Sequence, residues 1–330
     1  MRFSIIIPVY NRPEELDELL LSLQKQEYGE KFEVIVVEDG STMTSKSVAD
    51  RYGSHIDIKY CFKKNSGPGD SRNYGMDRAS GQYYILLDSD CILPASYMKN
   101  LSKALDTNYT DAYGGPDTAH ENFTVLQKAI NYSMTSFLTT GGLRSSESNS
   151  RKFQLRSFNM GLSKEAFEQT GGFSKQRIGE DIDLNFKLIQ EGLSTQLIPE
   201  AFVYHKRRSS LKSFFLQTRN FGAARPVLNA MHKGSGKWAY WFPSLFMTGS
   251  LLALVLLGAG FYIPIFLFLV YLLLLFADAY VKTRDIFVAV TSLVTTVVQF
   301  YGYGYGFLRS QYRIRVQGLD VREAFPGMFA

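Results

Sequence analysis

The sequence predicts an α/β fold: a Rossmann-like, doubly wound, mostly parallel sheet, followed by C-terminal transmembrane or interfacial helices. Three observations predict it. Short apolar runs alternate with amphipathic helical patterns over about the first ninety residues, as in βαβ units. Acidic or amide residues end most of those runs, which gathers polar groups along one sheet edge. From about Trp238 onward, long apolar stretches replace the alternation.

Taken in order, Phe3 to Val9 reads as a buried first strand. Tyr10-Asn-Arg-Pro13 breaks it and opens a helix, with Asn11 as N-cap and Glu14 and Glu15 in the first turn. Leu16, Leu19, Leu20 and Leu23 give that helix one apolar face. Phe32 to Val37 is a second strand running into Glu38-Asp39-Gly40-Ser41. A helix over 45–52 and a strand over 56–62 follow, and Asn65-Ser-Gly-Pro-Gly69 leads into a helix over 70–79. Tyr83 to Leu87 is the fourth strand, ending in Asp88-Ser89-Asp90.

Beyond it the spacing predicts helices over 95–105 and 123–138, a short strand over 112–115 and a mobile Gly/Ser-rich loop from Thr139 to Arg151. A strand over 153–162, a helix over 164–170, a Gly171-Gly172-Phe173 turn and a helix over 180–191 come next. Short strands within 194–204 precede a long basic helix over 209–231.

At 330 residues the chain has room for one large or two small domains. The composition shift divides it into a soluble α/β domain, 1–232, and a membrane region, 233–330. Ser244 to Ala277 carries no charge, enough for spans at about 244–260 and 262–278. A third apolar segment, 286–308, is less oily and holds Tyr301, Tyr303 and Tyr305 between glycines, so it either spans or lies at the interface. The start of the chain reads as a strand rather than a cleaved leader, and Cys61 and Cys91 fit a reducing compartment.

The net charge of +5 is local. No acid stands between Glu200 and Asp278, an interval holding Lys206, Arg207, Arg208, Lys212, Arg219, Arg225, Lys233 and Lys237. Basic residues beside an apolar span mark the cytoplasmic side and attract anionic lipid, so the expected partner of this stretch is membrane lipid and not nucleic acid.

Asp88 and Asp90 stand two apart at the end of an apolar strand. In extended backbone, i and i+2 point the same way, so both carboxylates face one site. Such a pair suits Mg²⁺ or Mn²⁺ together with phosphate oxygens, and the carboxyl edge of an open α/β sheet is where ligands bind.

Six stretches then recur in one order: Ser4-Ile-Ile-Ile-Pro8-Val-Tyr-Asn11, Glu33-Val-Ile-Val-Val-Glu-Asp-Gly-Ser41, Asn65-x-Gly67 with Arg72-Asn73-x-Gly75, Asp88-Ser-Asp90, Gly171-Gly-Phe173 and Glu180-Asp-x-Asp183. Together they resemble the family-2 glycosyltransferases of the GT-A fold, over about two-thirds of the chain. The resemblance implies a nucleotide-sugar donor. It implies a donor pocket lined by Pro8, Tyr10, Asn11, Asn65 and Gly67, with Asp39 on the base and Arg72 neutralising phosphate. Asp88 and Ser89 would touch the nucleotide, Asp88 and Asp90 would hold nucleotide and metal, and Asp181, beside Glu180, would be the general base. At Glu180 and Asp181 the alternative is a stabilised helix start. His205, in Val203-Tyr-His-Lys206, stands where many GT-A enzymes close the metal site; otherwise it is a surface histidine in a basic run. Processive members carry Gln-x-x-Arg-Trp, whereas this chain has Gln217-Thr-Arg219-Asn-Phe221, which favours transfer of one sugar per encounter.

The expectation is therefore an inverting, metal-dependent glycosyltransferase with a cytoplasmic catalytic domain on the inner (plasma) membrane. It would act on a lipid-linked glycan acceptor in cell-surface polysaccharide synthesis. The alternatives are a polyprenyl-phosphate glycosyltransferase, a nucleotidyltransferase and an inactive membrane scaffold.

Overall fold

The computed structural model describes residues 2–141 and 154–329; from residue 142 on, the expected 139–151 loop lies outside them. The elements run β1 (Phe3–Val9), α1 (Pro13–Gln24), β2 (Glu33–Asp39), α2 (Lys46–Tyr52), β3 (Asp57–Lys63), α3 (Pro68–Met76), β4 (Tyr83–Leu87), β5 (Cys91–Ile92) and α4 (Tyr97–Thr107). There follow β6 (Ala112–Gly114), β7 (Asp117–Thr118), α5 (Val125–Thr135), α6 (Phe137–Thr140), β8 (Asn159–Ser163), α7 (Lys164–Thr170), α8 (Glu180–Gln190), β9 (Thr195–Leu197) and β10 (Val203–His205). The chain closes with α9 (Leu211–Met231), α10 (Phe242–Gly258), α11 (Ile263–Thr283), α12 (Ile286–Arg315) and α13 (Val321–Ala324).

These elements form two compact units that do not follow chain order. The first takes the chain up to His120 and the segment ending at Lys206; the second takes the segment from Glu121, with α5 and α6, and everything from Arg207.

In the first unit a seven-stranded sheet runs β3-β2-β1-β4-β8-β6-β9. β3, β2, β1 and β4 are parallel, and β8 enters antiparallel to both β4 and β6. Alternation along the strands builds two core layers. Ile5, Ile7, Val34, Val36, Ile85 and Leu87 face Leu16, Leu19, Leu20 and Leu23 of α1 and Met98 and Leu101 of α4. Ile6, Ile35, Val37, Tyr84 and Leu86 face Met76, Leu184 and Leu188. Each such side chain contributes about 1.5–3 kcal/mol on full burial. Of the expected strand over 153–162, the described residues form a strand at Asn159–Ser163. Its Gly161 lies under the Tyr113 and Tyr83 rings, where an added Cβ would come within 2.0 Å of Tyr113.

Two local expectations change. Asn11 does not cap α1: Arg12 occupies that position without a side-chain cap, and Asn11 has φ 54°. The helix expected over 70–79 starts at Pro68, where the fixed φ of proline suits the first helical position.

Among the described residues of the second unit, three helical stretches are long and apolar enough to cross a membrane: Trp238–Gly258, Ile263–Thr283 and Ile286–Arg315. The third is one continuous helix of 30 residues, about 45 Å at 1.5 Å per residue. Of the glycines that alternate with its tyrosines, Gly302 and Gly306 pack against α9, and Gly304 packs against Pro243 and Ser244 of α10. A Cβ on Gly306 would lie 2.0 Å from the Arg219 carbonyl oxygen, and one on Gly222 would lie 2.0 Å from that of Tyr303. Asp278, inside α11, is held by Tyr132 Oη at 2.7 Å, Ser136 Oγ at 2.9 Å and Lys282 Nζ at 3.0 Å.

Candidate active site

The polar site lies in the first unit, at the carboxyl ends of β1, β2 and β4. Asn11 ties two of the edge loops together. Its Oδ1 accepts from the Thr42 and Met43 amides at 2.8 and 3.0 Å, and its own amide donates to Ser41 Oγ at 2.8 Å. The left-handed backbone that Asn tolerates turns this side chain across the gap. Pro8 stays in β1, paired with Val37, while the Tyr10 side chain is exposed.

Asp39 is buried at the end of β2. Its carboxylate accepts from Lys63 Nζ at 2.6 Å, from the Ser66 and Gly67 amides at 2.9 Å each, and from Asn65 Nδ2 at 3.2 Å. Those four donors match the lone-pair capacity of a carboxylate, so Asp39 here organises the 65–67 loop. Gly67 needs its positive φ of 97°, and a Cβ there would press on the Arg177 side chain at 3.1 Å. Arg177 in turn donates to Asn65 Oδ1 at 2.8 Å.

Arg72 is the hub. It is 2 % exposed, on α3, and reaches Asp88 Oδ1 at 2.5 Å with one terminal nitrogen and Glu180 Oε1 at 3.1 Å with the other. Burial opposes its charge, but the two carboxylates hold it firmly protonated. Glu180 is itself buried. That burial and the neighbouring Asp181 charge push its carboxyl up to about 7, against the pull of Arg72. Asp181, the next residue, is less enclosed: Oδ1 accepts from the Ile182 amide at 2.8 Å, and Oδ2 lies 3.4 Å from Arg156 Nη1.

Asp90 does not share a partner with Asp88. It stands just before β5, and β5 pairs with β10 in a small sheet ordered β5-β10-β7, with His205 opposite Cys91. This brings His205 Nε2 to 3.2 Å from Asp90 Oδ1, while Arg12 Nη1 donates to Asp90 Oδ2 at 2.5 Å. Burial would raise the Asp90 carboxyl, but His205 and Arg12 together hold it far below the usual carboxylate range. On its other edge His205 Nδ1 lies 3.7 Å from Asp117 Oδ2, and its ring stacks on Phe158 at 4.7 Å. Ser89, between the two aspartates, is buried.

A carboxylate and an imidazole held this closely fit a divalent cation that accepts both oxygen and nitrogen. Asp90 and His205 are the residues that would hold it. Cys91 is near, yet its thiol points at the Phe158 carbonyl at 3.4 Å, and burial pushes its pKa well up, so it stays a neutral core group. Asp88 instead faces Arg72.

Arg12, Lys63, Arg156 and Asp117 were not legible as site residues. Arg12 sits in the Tyr-Asn-Arg-Pro loop and was within reach of the motif. Asp117 follows Gly114-Gly-Pro116, which reads only as a turn.

A family model described as Glycosyl transferase family 2 matches residues 4–171. Among curated relatives, the poly(ribitol-phosphate) beta-N-acetylglucosaminyltransferase TarS of Staphylococcus aureus is 34% identical over 114 residues, 34% of this chain and only 20% of that protein's length. The GalNAc(5)-diNAcBac-PP-undecaprenol beta-1,3-glucosyltransferase of Campylobacter jejuni is 25% identical over 230 residues, 68% of this chain and 69% of that one. Among solved structures, the mannosyltransferase PcManGT of Pyrobaculum calidifontis, in complex with GDP-Man and Mn²⁺, superposes with a TM-score of 0.63 at 16% identity. The match covers 91% of this chain and 87% of that one, and it places the sheet in the GT-A fold.

Proposed function

Since this chain belongs to glycosyl transferase family 2, we propose that it moves one sugar from a nucleotide-diphosphate sugar to a lipid-linked glycan acceptor, with inversion and with a divalent cation. The proposed setting is cell-surface polysaccharide synthesis at the cytoplasmic face of the inner (plasma) membrane. Residues 1–232 would carry catalysis and 233–330 the membrane attachment. The observation that carries the reading is the pairing of Asp90 with His205 beside the Arg72-bridged Asp88 and Glu180.

A bound divalent cation supplies Lewis-acid stabilisation of a leaving diphosphate. The chain's own residues do the rest. Arg72 offers a guanidinium for phosphate, positioned in advance by Asp88 and Glu180, so little reorganisation is needed. The loops pinned by Asn11 and Asp39 shape the donor pocket, with Pro8, Tyr10, Asn65, Gly67 and Ser89 along it. Asp181 takes the proton from the acceptor hydroxyl as that oxygen attacks the anomeric carbon and the carbon–phosphate-oxygen bond breaks. One displacement of this kind inverts the centre and needs no covalent nucleophile. A lipid-linked acceptor is supported by the membrane-length helices and by the undecaprenol named for the Campylobacter relative.

Full-length protein in detergent, assayed for nucleotide release with a panel of nucleotide sugars, tests this. Transfer should require Mn²⁺ or Mg²⁺, stop in EDTA and return when the metal is restored. Asp90→Ala should abolish it at unchanged thermal stability. Full activity in EDTA would remove the metal from the mechanism, and no turnover of any nucleotide sugar would remove the reading.

A further inference from the structure

Asp117 belongs to no motif of the sequence, yet the small sheet carries it to His205. β10 pairs with β5 on one side, placing His205 opposite Cys91. It pairs with β7 on the other, with Val203 opposite Asp117. The imidazole therefore sits between two carboxylates, Asp90 Oδ1 at 3.2 Å from Nε2 and Asp117 Oδ2 at 3.7 Å from Nδ1. The Phe158 ring, stacked on it at 4.7 Å with 26° between planes, limits rotation out of that slot. Both carboxylates and the imidazole are largely buried, with side-chain exposures of 15%, 15% and 16%.

We infer that Asp117 is a positioning residue: acting through His205 Nδ1, it holds the imidazole so that the Nε2 lone pair and the Asp90 carboxylate face one divalent cation. The inference rests on the metal-dependent reading above. It follows from the chemistry of the ring. Neutral imidazole carries one proton, and a ligand nitrogen must be the bare one. Nε2 is the nitrogen beside Asp90, so the proton has to reside on Nδ1, the side on which the Asp117 carboxylate stands at 3.7 Å and favours it by its charge. A carboxylate behind a ligating histidine fixes its tautomer and orientation and raises its basicity. Asp117 is not itself placed as a ligand of that cation. It approaches the opposite ring nitrogen from Asp90, and the two ring nitrogens point apart. Cys91, the other candidate near the pair, is committed to the Phe158 carbonyl. The aspartate is therefore an outer partner of the pair, supplied by a strand of two residues.

Binding of Mn²⁺, read from the loss of the free-ion EPR signal, tests the role on full-length protein in detergent, with UDP, GDP or no nucleotide added in parallel. Asp117→Asn should weaken Mn²⁺ binding by about 10–100-fold, the usual cost of losing such a partner. Its melting temperature and its nucleotide binding in EDTA should stay near wild type. Asp117→Glu should recover most of the affinity. In a His205→Ala background, Asp117→Asn should add nothing, because the residue acts only through the ring. Wild-type affinity in Asp117→Asn overturns the inference and leaves the metal reading standing. So does an equal loss on top of His205→Ala, which would make Asp117 a ligand or a general support. No Mn²⁺ binding by the wild type in any of the three conditions overturns the metal reading, and the inference with it.

Discussion

Glu180 and Asp181 are neighbours with different surroundings. Glu180 is buried and bonded to Arg72, so its carboxyl braces the guanidinium that also holds Asp88. Asp181 keeps one long contact to Arg156 and one bond to its neighbour's amide, which leaves lone pairs for an incoming hydroxyl. Asp181→Asn keeps the size and removes the basicity. It should lower kcat by about 10²–10⁴-fold, the usual worth of general-base catalysis, with donor affinity almost unchanged. A steady-state comparison of kcat and donor KM checks this. A near-normal kcat, with Glu180→Gln inactive, would move the base to Glu180. The motif was legible here as a pair of acids at a helix start. That Glu180 braces an arginine was not, because that arginine stands more than a hundred positions earlier in the chain.

Short and long elements serve different ends. β5, β7 and β10 hold two, two and three residues, and their pairing alone assembles Asp90, His205 and Asp117. Strands this short carry almost no periodic signal, so their register is invisible in the sequence. The long α12 shows the opposite case. Its Tyr-Gly alternation reads as an interfacial aromatic stretch, but the glycines are there for close approach to neighbouring helices, Gly302 and Gly306 to α9 and Gly304 to α10. Gly306→Val would drive side-chain atoms into the Arg219 carbonyl, and backbone cannot yield as a flexible side chain does. It should destabilise by about 1–3 kcal/mol or more, the range for overpacking. Thermal unfolding in detergent reads this as a lowered midpoint. Gly249→Val, at a glycine with open space around it, is the control that should unfold near wild type.

The chain as a whole joins a family-2 catalytic fold to helices of membrane-spanning length. Apolar side chains on those helices are widely exposed, among them Val255 at 70% and Ile263 at 74%, a surface that water does not tolerate. Full-length protein should therefore remain in the membrane fraction after alkaline carbonate washing and come out only with detergent. Recovery in the carbonate supernatant would refute the spanning helices. Sequence alone was sufficient for the alternating strands, the order of the motifs, the two aspartates around Ser89 and the uncharged run from Ser244 to Ala277. Each of these is a local pattern of period or composition, and burial imposes such patterns on neighbours in the chain. Only the tertiary structure decided that Asp90 pairs with His205 while Asp88 pairs with Arg72, that Asp39 is occupied by Lys63 and the 65–67 loop, and that Asp117 stands behind the histidine. Those pairings follow from strand order and register. Residues far apart in the chain are brought within a few ångströms by them, and no local pattern records which of several acids will meet which cation.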